Sequence, residues 1–125
     1  MNIMLVENNV AYADLLRMLL NGIDKINKII WVKDGEEAIK LLDSTQPDLL
    51  FIDSEISKTG DSETIKRIKS LKRWRNLPIV VHSTNERKNS KKDVVGAGAI
   101  AFLSKRIDIK KLKQVVGNAK RSLPV

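Results

Sequence analysis

The sequence predicts a doubly wound α/β domain, in which helices cover both faces of a five-stranded parallel sheet. Two observations predict this fold. Short apolar runs alternate with longer segments of helical spacing, and the runs are continuously apolar, which is typical of parallel strands that are buried on both faces. The chain has 125 residues, of which 42% are hydrophobic, enough for one core and too few for two. We therefore expect one domain over residues 1–125, with no output domain.

Five short apolar runs predict the strands. They are Ile3–Val6, Ile29–Val32, Leu49–Ile52, Ile79–Val81 and Ala101–Leu103.

The segments between these runs have apolar residues three and four apart, which predicts amphipathic helices. A weaker segment, Arg87–Gly96, predicts a further helix before the last strand, and Asp108 is a suitable N-cap for the final helix. The apolar sets are Ala11, Leu15, Met18 and Leu19; Ala38, Leu41 and Leu42; Ile65, Ile68 and Leu71; and Ile109, Leu112, Val115, Val116 and Ala119.

Composition excludes several classes of protein. There are no cysteines, which excludes disulfide frameworks and thiolate metal sites. No apolar run reaches the roughly 18 residues of a membrane span, and the start of the chain lacks the features of an export signal. We therefore expect a cytoplasmic protein without a membrane segment.

The net charge of +8 is unevenly distributed along the chain. Residues 1–57 carry five Lys/Arg against ten Asp/Glu, a net charge of −5, while residues 58–125 carry eighteen against five, a net charge of +13. Much of this basicity lies in helix-like stretches whose lysines alternate with an apolar stripe. Solvated helix faces therefore explain it better than nucleic-acid binding does.

Polar residues follow the predicted strands where each strand ends. In open α/β sheets, ligands bind beyond the carboxyl ends of the strands, so we expect these residues to converge on one site. They are Glu7 and Asn8 after the first strand, Asp53 after the third, Ser83 and Thr84 after the fourth, and Lys105 after the fifth.

These residue types suit phosphoryl transfer. A carboxylate can act as a nucleophile toward phosphorus, and neighbouring acids can hold a divalent cation through hard oxygen ligands. A lysine ammonium and a hydroxyl can bind the oxygens of the transferring group, whose transition state needs positioning and charge neutralisation.

Glu7, Asp53, Ser83, Phe102 and Lys105, in this order and spacing, resemble the receiver domain of two-component response regulators. The resemblance covers the whole chain. It implies a flavodoxin-like sheet of strand order 2-1-3-4-5. The stretches "VKDGEEAI" and "LPIVVHSTN" are similar to those of small single-domain receivers that partner phytochrome-like kinases.

The resemblance also implies a role for each matching position. Asp53 would accept a phosphoryl group from a sensor histidine kinase, and Glu7, Asp53 and the main-chain carbonyl of Glu55 would hold Mg²⁺. Lys105 would pair with the phosphoryl oxygens. Ser83 would move toward the phosphate as Phe102 turns inward, so that the protein signals by docking and not as an enzyme.

The sequence departs from the family pattern at several positions. Asn8 stands where a second acid is usual, which predicts a weak Mg²⁺ site. Arg106 replaces the proline that usually follows the lysine in a cis peptide. We therefore expect a trans Lys105–Arg106 bond, which leaves the direction of the Lys105 side chain open. Ser57 replaces a common proline, and Gly60 comes one residue earlier than usual.

Two functions from different classes compete. The first is a phosphorylation-dependent switch, a monomer or weak dimer whose basic face, formed by Arg87–Lys92, the last strand and Lys110–Lys120, docks on an acidic partner. The second is a phosphorylation-independent pseudo-receiver, which Asn8 and Arg106 favour. A nucleic-acid adaptor is a third alternative, but the chain lacks a recognised motif for it. His82, the only histidine, should point away from Ser83 into the core and should not be a phosphorylation site.

Overall fold

The computed structural model describes residues 1–23, 25–56, 60–84 and 95–121. Its five strands are parallel and form one sheet in the order β2-β1-β3-β4-β5, so the predicted fold and strand order are confirmed. Each predicted strand is present and extends by one or two residues at one end. The strands are β1 (Asn2–Val6), β2 (Lys28–Val32), β3 (Leu49–Asp53), β4 (Ile79–Ser83) and β5 (Ala101–Ser104).

Helices connect the first four strands, and one helix follows the last strand. Within the described ranges they are α1 (Val10–Asn21), α2 (Gly35–Thr45), α3 (Gly60–Ser70), a 3₁₀ turn (Lys72–Trp74) and the final helix α4 (Ile109–Arg121). Ser57 and most of the predicted helix Arg87–Gly96 lie outside the described residues.

The sheet separates two apolar layers, as expected for a doubly wound fold. Alternate side chains of each strand point to opposite faces, so Met4 packs beneath α2 and α3 with Ile52, while Leu5 packs beneath α1 and α4 with Phe51. Because both faces are covered, all five residues of β3 are buried. This explains the continuous apolar runs from which the strands were predicted.

The apolar stripe predicted for α1 is wrong in its orientation. The helix packs on the sheet through Ala13, Leu16 and Leu20, whereas Leu15 and Met18 are exposed. Apolar residues surround most of this helix, so helical spacing alone could not distinguish the face that meets the sheet.

Side chains cap α1 and the final helix at their N-termini. Asn9 accepts a hydrogen bond from the Tyr12 N–H at 3.0 Å, which fixes the first turn of α1 directly after β1. The predicted cap of the final helix is confirmed, since Asp108 Oδ1 accepts from the Lys110 N–H at 2.9 Å. Within the described ranges, no helix combines the length and apolar character needed to cross a membrane.

Candidate functional site at the carboxyl ends of the strands

The residues predicted to converge lie at one edge of the sheet. Asp53 is the last residue of β3 and Ser83 the last of β4, while Glu7 and Lys105 directly follow β1 and β5. Glu7, Asp53 and Ser83 are all buried. Burial of two carboxylates is costly unless they are paired, so the contacts of their charged oxygens decide what the site can do.

The Lys105 ammonium bridges the two buried acids. Its Nζ lies 3.0 Å from Glu7 Oε2 and 3.3 Å from Asp53 Oδ1, and it donates a hydrogen bond to Glu7 Oε1 at 3.1 Å. The side chain of Lys105 is 12% exposed, those of Glu7 and Asp53 4% and 3%. At this burial water screens the three charges only weakly, so the attraction between Lys105 and the two carboxylates is stronger than at the protein surface.

The main chain holds Lys105 against β4. Its N–H donates to the carbonyl oxygen of Ser83 at 2.9 Å. No cis peptide bond occurs in the described ranges, so the predicted trans bond between Lys105 and Arg106 is confirmed.

Burial raises the pKa of Glu7 above its ordinary value. Hydrogen bonds from the Asn9 N–H and from Lys105 oppose that shift, and the nearby charge of Asp53 adds to it. The result is a carboxylate that takes up a proton at a higher pH than an exposed glutamate does. Proton uptake by Glu7 should therefore compete with cation binding, which should weaken as the pH falls.

Glu55 contributes to the site through both its main chain and its side chain. Its N–H donates to Asp53 Oδ1 at 3.1 Å. Its carboxylate accepts a hydrogen bond from the Thr84 hydroxyl at 3.0 Å, which joins it to the residue that follows β4.

The remaining predicted residues lie around the buried acids. Asn8 is exposed, immediately after Glu7. Phe102 is half-buried and packs against the apolar layer under α2 and α3, on the side of the sheet opposite Leu103. Its partner in the β4–β5 register is Val81, two residues before Ser83 and on the same face of the sheet.

Sequence reasoning did not identify Tyr12, which lies in the first turn of α1. Its hydroxyl shares a hydrogen bond with His82 Nδ1, and its ring centroid lies 4.5 Å from Lys105 Nζ. Burial and the charges of Glu7 and Asp53 raise its pKa, so the phenol stays protonated. The only available signal was its position three residues after the cap Asn9, in the turn that faces the strand ends.

His82 is a packing histidine, as predicted. It is 2% exposed, and its ring meets those of Phe51 and Tyr12 edge to face, with centroids 5.0 and 5.7 Å away. Burial, and then the charge of Lys105, lower its pKa to about 3. The imidazole is therefore neutral at physiological pH.

The donor atoms of this pocket suit a hard divalent cation. Glu7 and Asp53 offer buried carboxylate oxygens, and Mg²⁺ is usually held by one or two carboxylates with waters completing its shell. Across the described ranges, no cluster of three or more acidic or histidine side chains is placed to bind a metal ion. A cation here would depend on two acids and neutral oxygens.

The family model of the response regulator receiver domain matches residues 3–117. The chain belongs to this family. Receiver domains are signalling modules of two-component systems, generally phosphorylated on an aspartate and generally not enzymes, and they bind Mg²⁺ in an acidic pocket.

One curated relative is the probable methanogenesis regulatory protein FilR2 of Methanothrix harundinacea. It is 26% identical over 124 residues, which cover 94% of this chain and 80% of that protein. The chain spans less than half the length of several other curated relatives, among them the transcriptional regulatory protein KdpE of Escherichia coli.

Among the solved structures that share the fold over nearly the whole chain are two phytochrome-type or metal-bound response regulators. The phosphorylated cyanobacterial phytochrome response regulator RcpA is 25% identical with a TM-score of 0.80, over 96% of this chain and 91% of that one. The Mn²⁺-bound response regulator Rcp1 is 22% identical with a TM-score of 0.78, over 99% of both chains.

Proposed function

We propose that this receiver accepts a phosphoryl group on Asp53 from a sensor histidine kinase and passes the signal on by protein–protein docking. The observation that carries the proposal is the Lys105 ammonium, which bridges the buried carboxylates of Glu7 and Asp53. A purely structural domain gains little from burying three charges at a sheet edge, because their desolvation offsets most of their attraction.

In this proposal a carboxylate oxygen of Asp53 attacks phosphorus, and the bond from phosphorus to the donor breaks with its electrons staying on the donor. Lys105 shifts from Asp53 to the phosphoryl oxygens, and the Ser83 hydroxyl donates to another of them. Mg²⁺ held by Glu7, Asp53 and the main-chain carbonyl of Glu55, with Asn8 as a weak neutral ligand, would neutralise charge on the transferring group. Phe102, which pairs with Val81 two residues before Ser83 in the β4–β5 register, would respond to the movement of Ser83.

Intact-protein mass measurement with acetyl phosphate and Mg²⁺ tests the proposal. We expect an adduct of one phosphoryl group on the wild-type chain and none on Asp53→Asn, because an amide cannot act as the nucleophile. The matched control is Asp43→Asn. Asp43 is an exposed acid of α2 that accepts a hydrogen bond from Trp74 Nε1, and this variant should retain the adduct.

A pseudo-receiver that works without phosphorylation is the alternative. The exposed, neutral Asn8 beside Glu7 favours it, because it leaves the pocket with two acids. Absence of a wild-type adduct at every Mg²⁺ concentration tried would support this alternative and would contradict the proposed switch.

Asn8→Asp should strengthen Mg²⁺ binding by roughly tenfold to a hundredfold. A third carboxylate attracts the divalent ion, although desolvation of the new charge offsets most of that attraction. Isothermal calorimetry measures the affinity. Asn9→Asp is the matched control, since its side chain caps α1, and it should raise the affinity by less than about threefold. Equal effects of both substitutions would remove Asn8 from the pocket.

We propose that the partner kinase is a sensor histidine kinase, phytochrome-like by analogy with RcpA. We further propose that an acidic protein surface meets the basic face. The receiver would work in the cytoplasm as a monomer or weak dimer. Lys110, Lys111 and Lys113 are exposed along α4; Arg87–Lys92 lie outside the described residues. Such contacts are screened within about 8 to 10 Å at ordinary salt.

Partner association should therefore slow markedly between about 50 and 500 mM salt, and Lys110→Glu together with Lys111→Glu should slow it at low salt. Surface plasmon resonance against the isolated kinase measures both rates. An association rate that does not change with salt would contradict docking through the basic face.

A further inference from the structure

The aromatic ring of Tyr12 covers the ammonium of Lys105. Nζ lies 4.5 Å from the ring centroid, within the roughly 6 Å at which a ring face attracts a cation. The same Nζ pairs with Glu7 and Asp53. Three groups from separate parts of the chain therefore hold one ammonium, and the proposed phosphoryl transfer uses only the two acids among them.

The Tyr12 ring is itself held in place. Its hydroxyl shares a hydrogen bond with Nδ1 of His82, and the two rings meet edge to face at 61°. His82 in turn packs edge to face on Phe51 at 73° and is almost fully buried. Side chains of β3 and β4 thus determine where the ring of an α1 residue lies.

Lys105 needs such a contact because its other contacts change when the site reacts. A lysine side chain is flexible and loses considerable rotamer freedom when it is held in one place. Phosphorylation would move negative charge from the Asp53 carboxylate to phosphoryl oxygens, so the Nζ contact with Asp53 cannot persist unchanged. The Tyr12 ring is neutral and its attraction for the ammonium does not depend on the state of Asp53.

We infer that Tyr12 is a positioning residue, which holds the Lys105 ammonium over the Glu7–Asp53 pocket, and that His82 fixes the Tyr12 ring for this role. The role in the rate of phosphoryl transfer rests on the proposed function. The ordering of Lys105 does not, because it is a property of the unphosphorylated chain.

Two substitutions separate the ring from its hydroxyl. Tyr12→Phe keeps the ring and removes the bond to His82, whereas Tyr12→Leu removes the ring. NMR relaxation of the Lys105 Cε methylene, without metal or phosphodonor, reports how well the side chain is ordered, and its chemical shift reports the ring current of Tyr12. Leu15→Ala, an exposed position of the same helix, is the control and should change neither.

We expect the Cε order parameter to fall in the order wild type, Tyr12→Phe, Tyr12→Leu, with the ring-current shift kept by Phe and lost by Leu. His82→Leu should match Tyr12→Phe. The rate of phosphorylation by acetyl phosphate should fall about three- to thirtyfold in Tyr12→Leu and less in Tyr12→Phe.

An unchanged Cε order parameter in Tyr12→Leu would overturn the inference, as would a lost ring-current shift with an unchanged rate. If the wild-type chain takes up no phosphoryl group, the proposed function fails and the order parameters alone decide the positioning role. If Tyr12→Leu does not fold, Tyr12→Met replaces it, because it also removes the ring, and unchanged ordering of Lys105 in that variant would overturn the inference. Wild-type ordering of Lys105 in both Tyr12→Phe and His82→Leu would contradict the role of His82.

Discussion

Replacing Lys105 by methionine is expected to lower the free energy of unfolding by about 3 to 5 kcal/mol at neutral pH without divalent cations. The variant keeps an unbranched side chain that is one atom shorter, and it removes the charge. Glu7 and Asp53, both almost fully buried, would then lack their shared cation. Breaking a buried ion pair from one side leaves an uncompensated charge, which is the cause of the large loss.

The same variant should recover stability in acid. The pKa of Glu7 is already raised by burial, and the hydrogen bond from Lys105 opposes that shift, so removing Lys105 should raise the pKa further. Between the unfolded and folded pKa values the folded state then binds more protons than the unfolded state. Its free energy of unfolding therefore rises as the pH falls through that window. Millimolar Mg²⁺ should also recover stability, because it would bind the folded chain alone.

Urea unfolding at several pH values measures both effects. Lys110→Met, an exposed lysine of α4, is the matched control and should change stability by less than about 0.5 kcal/mol. A loss in Lys105→Met that equals the control, or that grows as the pH falls, would contradict the account of the buried acids.

His82 should make the folded protein sensitive to acid. Its pKa is lowered to about 3 by burial and by the charge of Lys105, whereas in the unfolded chain it returns to its ordinary value near 6.5. Between these values the unfolded state binds the proton and the folded state does not. The free energy of unfolding should fall by about 1.4 kcal/mol for each pH unit below 6.5.

His82→Leu should remove this slope. It is the only histidine. The difference between the stability curves of the wild type and His82→Leu from about pH 6.5 to 5 therefore isolates the contribution of His82. The carboxylates, including Glu7 with its opposite contribution, affect both curves alike. The comparison uses slopes because the variant also removes the partner of the Tyr12 hydroxyl. Parallel curves over this range would show that His82 is protonated in the folded state.

Much of this fold was predictable because its strands are buried on both faces. Continuous apolar runs such as Leu49–Ile52 cannot belong to a half-exposed sheet, and parallel topology then brings Glu7, Asp53, Ser83 and Lys105 to the same edge. The choice of helix face was not predictable for α1, where Leu15 and Met18 are as apolar as Leu16 and Leu20. Only the docked helix distinguishes them.

The contacts of Tyr12 were not predictable for a different reason. Its pairing with His82 joins residues separated by 70 positions, and it depends on how α1 lies across β4, which no local pattern encodes. His82 itself was predictable as a buried residue from its place in an apolar strand, but the hydrogen bond that gives it a role was not.

The hydrogen bond from Trp31 Nε1 to the Glu7 carbonyl oxygen, 2.7 Å long, belongs to the same sheet edge as the acids. The second indole, Trp74, donates instead to Asp43 at 2.8 Å, on the side of the sheet where α2 and α3 lie. Indole emission responds to hydrogen bonding and to nearby charge, so occupation of the pocket should alter the fluorescence of Trp31 and leave that of Trp74 as an internal reference. The chain thus carries its own optical sensor of the Glu7–Asp53 pocket, without any attached dye.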